Sequence, residues 1–281
     1  MIRFLICCSS FFVLLALLFA SDASASGKQG DINALDQAKV ETAVYDGPKE
    51  NLHVYLLIGQ SNMAGRAKVP EEMSGVIERC YLLNDKNQWV PAKNPMNLYS
   101  AIRKGEGMQK LGPGYGFALA MLEANPDINI GLVVNARGGS KIEAWESKAK
   151  YYLTSRDRTK AAMKTGTLKG VLWHQGESNA SKHATYLEQL KTLVGNLRSD
   201  LGDKDLPFIA GQVRPTDGMK PINAEIAKLP SVLLNTGCAK SEGLTTFDGT
   251  HFDAKSQVEL GQRYAQQMLE LQATSNKKKK H

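Results

Sequence analysis

The sequence predicts an α/β domain of three layers, a central parallel sheet with helices on both faces, and three observations carry that expectation. Short unbroken apolar runs recur along the chain. Segments with helical spacing lie between most of them, and strand alternating with helix means a parallel sheet covered on both sides. Beyond the N-terminus no apolar run is long enough to span a bilayer, so the remaining roughly 255 residues are read as one medium-sized domain without internal repeat or linker.

The first run, 54–58, reads Val-Tyr-Leu-Leu-Ile without polar alternation, the pattern of a central strand buried on both faces, and Gly59 ends it. Further strands are expected at 80–83, 128–134, 170–173, 207–210 and 232–235. Helices are expected at 115–124, at 184–197, where Leu187, Leu190, Val194 and Leu197 repeat, and at 253–271, with Asp253 as N-cap. Residues 84–114 hold several Gly, Pro and Asn with little pattern. They are expected to be loop, and a loop of that length in a compact domain is often functional. In such a sheet the ligand site lies beyond the carboxyl ends of the strands.

The chain ends are read separately. Met1-Ile2-Arg3 precedes an apolar stretch over 4–20, and Ala23-Ser24-Ala25 supplies small residues for cleavage, the three parts of a signal peptide over 1–25. A secreted or periplasmic protein without a stable membrane anchor after cleavage follows from that. The alternative is a membrane anchor, because the stretch approaches the roughly 17-residue lower limit for a spanning helix. Residues 26–50 are polar and unpatterned, a flexible leader, so that the folded domain spans 51–273 and 274–281 is a basic tail. The formal charge is +7, but Lys277 to Lys280 supply four of those charges and the body carries +3, too little to argue for nucleic acid as a partner. Cys7 and Cys8 leave with the signal peptide. The strand reading places Cys80 and Cys238 near opposite edges of the sheet; four spacings of about 4.8 Å come to roughly 19 Å, whereas bridged Cα atoms lie within about 7 Å. Two free, mostly buried thiols are expected.

Four clusters carry chemistry. In Gly59-Gln60-Ser61-Asn62-Met63, directly after the first strand, a serine on a tight strand-to-helix turn exposes its hydroxyl and aims its own amide where an oxyanion would form. Met63 stands where the second glycine of a G-x-S-x-G elbow would be, and such a turn also serves simply to start a helix. Asn135-Ala136-Arg137-Gly138-Gly139-Ser140 follows the strand at 128–134, and its glycines either donate an amide to developing charge or make a tight turn. Trp173-His174-Gln175-Gly176-Glu177-Ser178-Asn179 places the Gln175 amide at a third strand end, alternatively a helix cap. His174 and Glu177 lack a third convincing ligand for a metal, and no cofactor is implied. In Phe247-Asp248-Gly249-Thr250-His251 a carboxylate three residues before a histidine fixes its tautomer and leaves Nε2 free to accept a proton; the plain reading is two polar residues beside a helix start.

A hydrolase needs a nucleophile, an oriented base and oxyanion donors at one sheet end, and here they occur together. In this order the blocks resemble those of the SGNH hydrolases. More narrowly, Gly59-Gln60-Ser61-Asn62-Met63, Gly138-Gly139-Ser140, His174-Gln175-Gly176-Glu177-Ser178-Asn179 and Asp248-Gly249-Thr250-His251 resemble the sialate O-acetylesterase and acetylxylan esterase group, over about 54–271. The resemblance implies a flavodoxin-like α/β/α sandwich with strand order 2-1-3-4-5, no metal, and removal of acetyl groups from acetylated sugars, oligosaccharides or polysaccharides. It implies Ser61 as nucleophile, His251 as base and Asp248 as its orienter. The oxyanion hole would then be the Ser61 amide, an amide of Gly138 or Gly139, and Gln175, with Asn62 and Glu177 in support. Glu177 is expected to bond nearby backbone or Arg137. A lipase or thioesterase of the same superfamily is one alternative, and a carbohydrate-binding protein using Trp89, Trp145 or Trp173 as sugar platform is another; each Trp also reads as core or pocket wall.

Overall fold

A computed structural model describes residues 45–278, with side chains of the last helix described as far as residue 274. The expected signal peptide, most of the leader and the end of the basic tail lie outside the described residues. In chain order the elements are β1 (Leu52–Gly59), α1 (Ser61–Ala64), β2 (Ile77–Leu83), β3 (Trp89–Ala92), α2 (Gly114–Ala124), β4 (Asn129–Ala136) and α3 (Lys150–Ala162). They continue with β5 (Thr167–His174), α4 (Tyr186–Leu201), β6 (Phe208–Gly211), α5 (Lys220–Val232), β7 (Thr236–Ala239) and α6 (Ala254–Lys278).

The seven strands form one sheet in the order β3-β2-β4-β1-β5-β6-β7, parallel except where β3 pairs with β2. β1 explains the layering. Val54, Leu56 and Ile58 point to one side, against Tyr152 of α3, Leu190 and Leu197 of α4 and Ile226 of α5. Tyr55 and Leu57 point to the other, against Phe117 and Met121 of α2 and Leu260 and Met268 of α6. An unbroken apolar run satisfies both faces at once, as the sequence pattern requires.

The strand order corrects the expected 2-1-3-4-5: the third parallel strand, β4, inserts between β2 and β1. The residues account for the edge, where β2 stands in both orders. β4 is apolar and buried along almost its whole length. β2 carries exposed Glu78 and holds Arg79 at φ 58, and its outer neighbour β3 contains Pro91. Charge and an amide-less residue are tolerated near a sheet edge and not at its centre. β3 itself lies within the stretch expected to be loop.

The last strand is also displaced. Residues 232–235, expected as strand, are the end of α5 and a turn, with Leu234 exposed and Asn235 at φ 54, and β7 follows. Interior Pro230 hides this helix from pattern reading, although Ile222, Ile226 and Leu229 keep helical spacing. α3 escapes for a different reason, because its buried face is largely polar: Ser155, Arg158 and Thr159 sit beside Tyr152 and Ala162. Packing begins before residue 51, where Tyr45 meets Tyr81 edge-on at 5.2 Å, and α6 runs past 271 to Lys278. Asp253 caps α6 as expected, accepting the Ser256 amide at 2.8 Å. Cys80 on β2 and Cys238 on β7 are free and stand five strands apart.

Candidate active site

Register places three of the clusters side by side. Gly59 at the end of β1 pairs with Ala136 of β4 and His174 of β5, so the chain leaves all three strands at one level. The turn after β1 is clamped from both flanks: Gln60 N donates to His174 O at 2.8 Å, and Arg137 N donates to Gly59 O at 2.9 Å. Gly59 takes φ 138, and a Cβ there would fall 2.1 Å from His174 O. No other residue fits so close to a neighbouring carbonyl. Ser61 then opens α1.

The turn at 248–251 reaches the same place from beyond β7. Asp248 Oδ1 accepts the amides of Thr250 at 2.9 Å and His251 at 2.7 Å, while Oδ2 meets His251 Nδ1 at 2.7 Å. A carboxylate accepts only, so Nδ1 carries the ring proton and Nε2 presents a lone pair. That Nε2 lies 3.0 Å from Ser61 Oγ. Partial burial pushes the Asp248 carboxyl up, but the hydrogen bonds from the His251 ring and the two amides outweigh it and hold it at about 2.

Asn62 ties the two turns together. Its Oδ1 accepts the Phe252 amide at 3.0 Å, and its Nδ2 donates to Thr250 O at 3.3 Å and to Glu177 Oε1 at 2.7 Å. Gln257 of α6 braces it further, at 3.3 Å from both Asn62 O and Oδ1. Glu177 therefore meets Asn62 and not Arg137, whose guanidinium donates to the carbonyls of Ile102 and Arg103.

Gly138 lies next to the serine: a Cβ on it would sit 3.6 Å from Ser61 Cβ and 2.3 Å from an Arg66 nitrogen. Arg66 is anchored by bonds from Nη1 to Gly65 O at 2.6 Å and Met108 O at 2.9 Å, so it backs the glycine loop as a fixed wall. Gly139, at φ 73, faces Lys104 instead. Gln175 departs from expectation. It is fully buried, and its Nε2 donates to Asn179 Oδ1 at 2.7 Å, Ser140 O at 3.1 Å and Gln60 Oε1 at 3.2 Å. Two N–H bonds facing three protein acceptors leave none for a substrate oxygen.

The three tryptophans are all buried, as core and not as sugar platforms, with Trp145 and Trp173 packed edge-on at 5.4 Å. Phe247 is the aromatic that faces solvent here, 56% exposed and stacked on the His251 ring with centroids 6.1 Å apart. Sequence reasoning quoted Phe247 and gave it no role; its signal was an aromatic in a polar turn beside a candidate base. Gln60 was likewise quoted without a role, and Arg66 and Gln257 were missed outright, because a structural amide or guanidinium carries no periodicity. Among the described residues no three His, Cys, Asp or Glu side chains gather as a metal would need.

With this geometry in hand, the comparisons with known proteins are specific. Residues 51–270 match the family model described as carbohydrate esterase, sialic acid-specific acetylesterase. A probable carbohydrate esterase of Arabidopsis thaliana is 31% identical over 246 residues, covering 77% of this chain and 90% of that one. The X-ray structure of an Arabidopsis thaliana protein matches with a TM-score of 0.71 at 28% identity, covering 79% of this chain and 98% of the other. A carbohydrate acetylesterase from Xanthomonas citri shares the fold, with a TM-score of 0.56 at 21% identity over 76% of this chain and 55% of its own.

Proposed function

Because this chain belongs to the sialic acid-specific acetylesterase family of carbohydrate esterases, and is a carboxylic ester hydrolase, we propose that it removes acetyl groups from carbohydrate through Ser61, with His251 as base and Asp248 as its orienter. The observation that carries this is His251 Nε2 at 3.0 Å from Ser61 Oγ with Asp248 on the opposite ring nitrogen at 2.7 Å. That is the reach a general base needs over a serine hydroxyl.

His251 takes the Ser61 proton as Oγ attacks the acetyl carbonyl. The tetrahedral oxyanion is held by the amides of Ser61 and Gly138, the glycine that adjoins the serine. Collapse expels the sugar oxygen, which leaves with the proton from His251. Water then attacks the acetyl-serine, gives a proton to His251, and releases acetate as Ser61 recovers its hydrogen. Gln175 takes no direct part and keeps Gln60, Ser140 and Asn179 in register beneath the hole. Phe247 offers a face for the sugar of the leaving group, continuing the surface beside His251.

Aryl esters of increasing chain length, assayed beside acetylated xylan and acetylated sialic acids, test the acyl preference. Acetate should lead the series; a rate that climbs toward octanoate would favour the lipase reading. Export is part of the same proposal, with residues 1–25 removed, and an N-terminus at Ser26 in the protein recovered outside the cytoplasm is the expected result.

A further inference from the structure

Behind Ser61 and His251 lies a chain of buried polar groups that acyl transfer does not use. A carbonyl only accepts, so the Tyr264 hydroxyl commits its proton to Trp173 O at 2.7 Å. His174 Nδ1 lies 3.0 Å from the same hydroxyl oxygen and must be the donor to it. Burial holds the His174 ring down at about 3, so it is neutral and its Nε2 is a bare lone pair. That nitrogen has no partner and faces Glu177 Oε1 at 4.0 Å. Glu177 Oε2 is buried and also without a partner.

An ionised Glu177 would set lone pairs against a lone pair where little water reaches. Both groups would lose their hydration with nothing in exchange. One proton, with the carboxyl closing by about 1 Å from its 4.0 Å separation to hydrogen-bond reach of Nε2, satisfies both.

We propose that Glu177 is kept as an uncharged carboxylic acid with its proton directed at His174 Nε2, and that in this form it is the positioning residue that locks Asn62, and through Asn62 the His251 turn, against Ser61. The groups around it are Asn62 from α1, His174 from β5, Arg214 after β6, His251 before α6, and the Tyr186 and Tyr264 rings. Burial pushes the carboxyl up; its own amide, Asn62, Arg214 and His251 pull the other way without reversing the direction. The consequence is functional. A second carboxylate beside His251 would raise the affinity of the imidazole for a proton and hold the resting base in its charged, useless form. An uncharged Glu177 supplies the bond to Asn62 and leaves that control to Asp248 alone.

The inference rests on the Ser61, His251 and Asp248 reading, and the experiment separates the two. Infrared difference spectra of the purified enzyme against Glu177→Gln at neutral pH should show the carbonyl band of a protonated carboxylic acid, shifted in D2O and absent from the variant. The kcat/KM profile for p-nitrophenyl acetate between about pH 5 and 9 should keep its acid limb in place in Glu177→Gln. Glu177→Ala should lose on the order of tenfold to a hundredfold in kcat through the loosened turn, and Glu177→Gln, which matches the acid in shape and hydrogen bonding, should recover most of that loss. A missing band, or an acid limb moved to lower pH in Glu177→Gln, overturns the proposal and identifies an ionised Glu177 bridged to His174 by water. Activity that survives in Ser61→Ala would count against the triad, whereas the infrared band reads the Glu177 proton in either case.

Discussion

Replacing Asp248 by Asn preserves the turn and inverts one hydrogen bond. The amide oxygen can keep the Oδ1 contacts with the Thr250 and His251 amides at 2.9 and 2.7 Å. Its NH2 group then takes the place of Oδ2, 2.7 Å from His251 Nδ1. A donor there forces the ring proton onto Nε2, so that His251 points N–H, and no lone pair, at Ser61 Oγ 3.0 Å away. Serine hydrolases that lose the tautomer in this way lose on the order of 10⁴ in kcat, about 5 kcal/mol of barrier. The assay is p-nitrophenyl acetate hydrolysis at neutral pH, with circular dichroism to show that the variant is folded. A folded Asp248→Asn within tenfold of wild type would refute the reasoning, because no other group on the turn can set the tautomer.

Other expectations follow from single contacts. Gln175→Ala should lower unfolding stability by about 1–3 kcal/mol, since Ser140 O loses its donor and the acceptors on Gln60 and Asn179 lose one of theirs; loss of turnover at unchanged stability would restore Gln175 as a direct oxyanion donor. Gly138→Ala brings a methyl to 2.3 Å from the anchored Arg66 guanidinium, and the displaced amide should cost on the order of a hundredfold in kcat. Phe247→Ala should raise KM for acetylated oligosaccharides about fivefold, equivalent to roughly 1 kcal/mol of stacking, and leave KM for p-nitrophenyl acetate nearly unchanged. The Asp248 carboxyl is held at about 2 in the fold, below its unfolded value of about 3.9. Its contribution to stability is therefore full above about pH 4 and lost as pH falls toward about 2, so melting curves should show acid sensitivity that is smaller in Asp248→Asn.

The residues of the candidate site are easier to pick out of the sequence than the order of the strands that carry them. Ser61 could be picked out because it directly follows β1, an apolar run that marks its own end, and Asp248 and His251 because a carboxylate three residues before a histidine is a specific pairing on the turn beyond β7. Pairing order is not written in such runs. Glu78 on β2 and Pro91 on β3 mark those strands for the edge, but β1 and β4 are both buried apolar runs, and nothing in either says which of them adjoins β2. α3 and α5 were hidden by a polar buried face and by Pro230. Gln175 shows a related limit: a side-chain amide at a strand end reads as a free donor until the three acceptors packed around it are known. Phe247 shows the converse, since a lone aromatic in a turn gains meaning only from the histidine it stacks on.

The most direct test of the central claim uses purified protein spanning 26–281 and follows p-nitrophenol release from p-nitrophenyl acetate, wild type against a Ser61→Ala variant shown to be folded. Hydrolysis by the wild type that falls to background in Ser61→Ala is the expected result. Hydrolysis that persists in the folded variant would contradict the account, because the ester would then be cleaved by a group other than the serine facing His251.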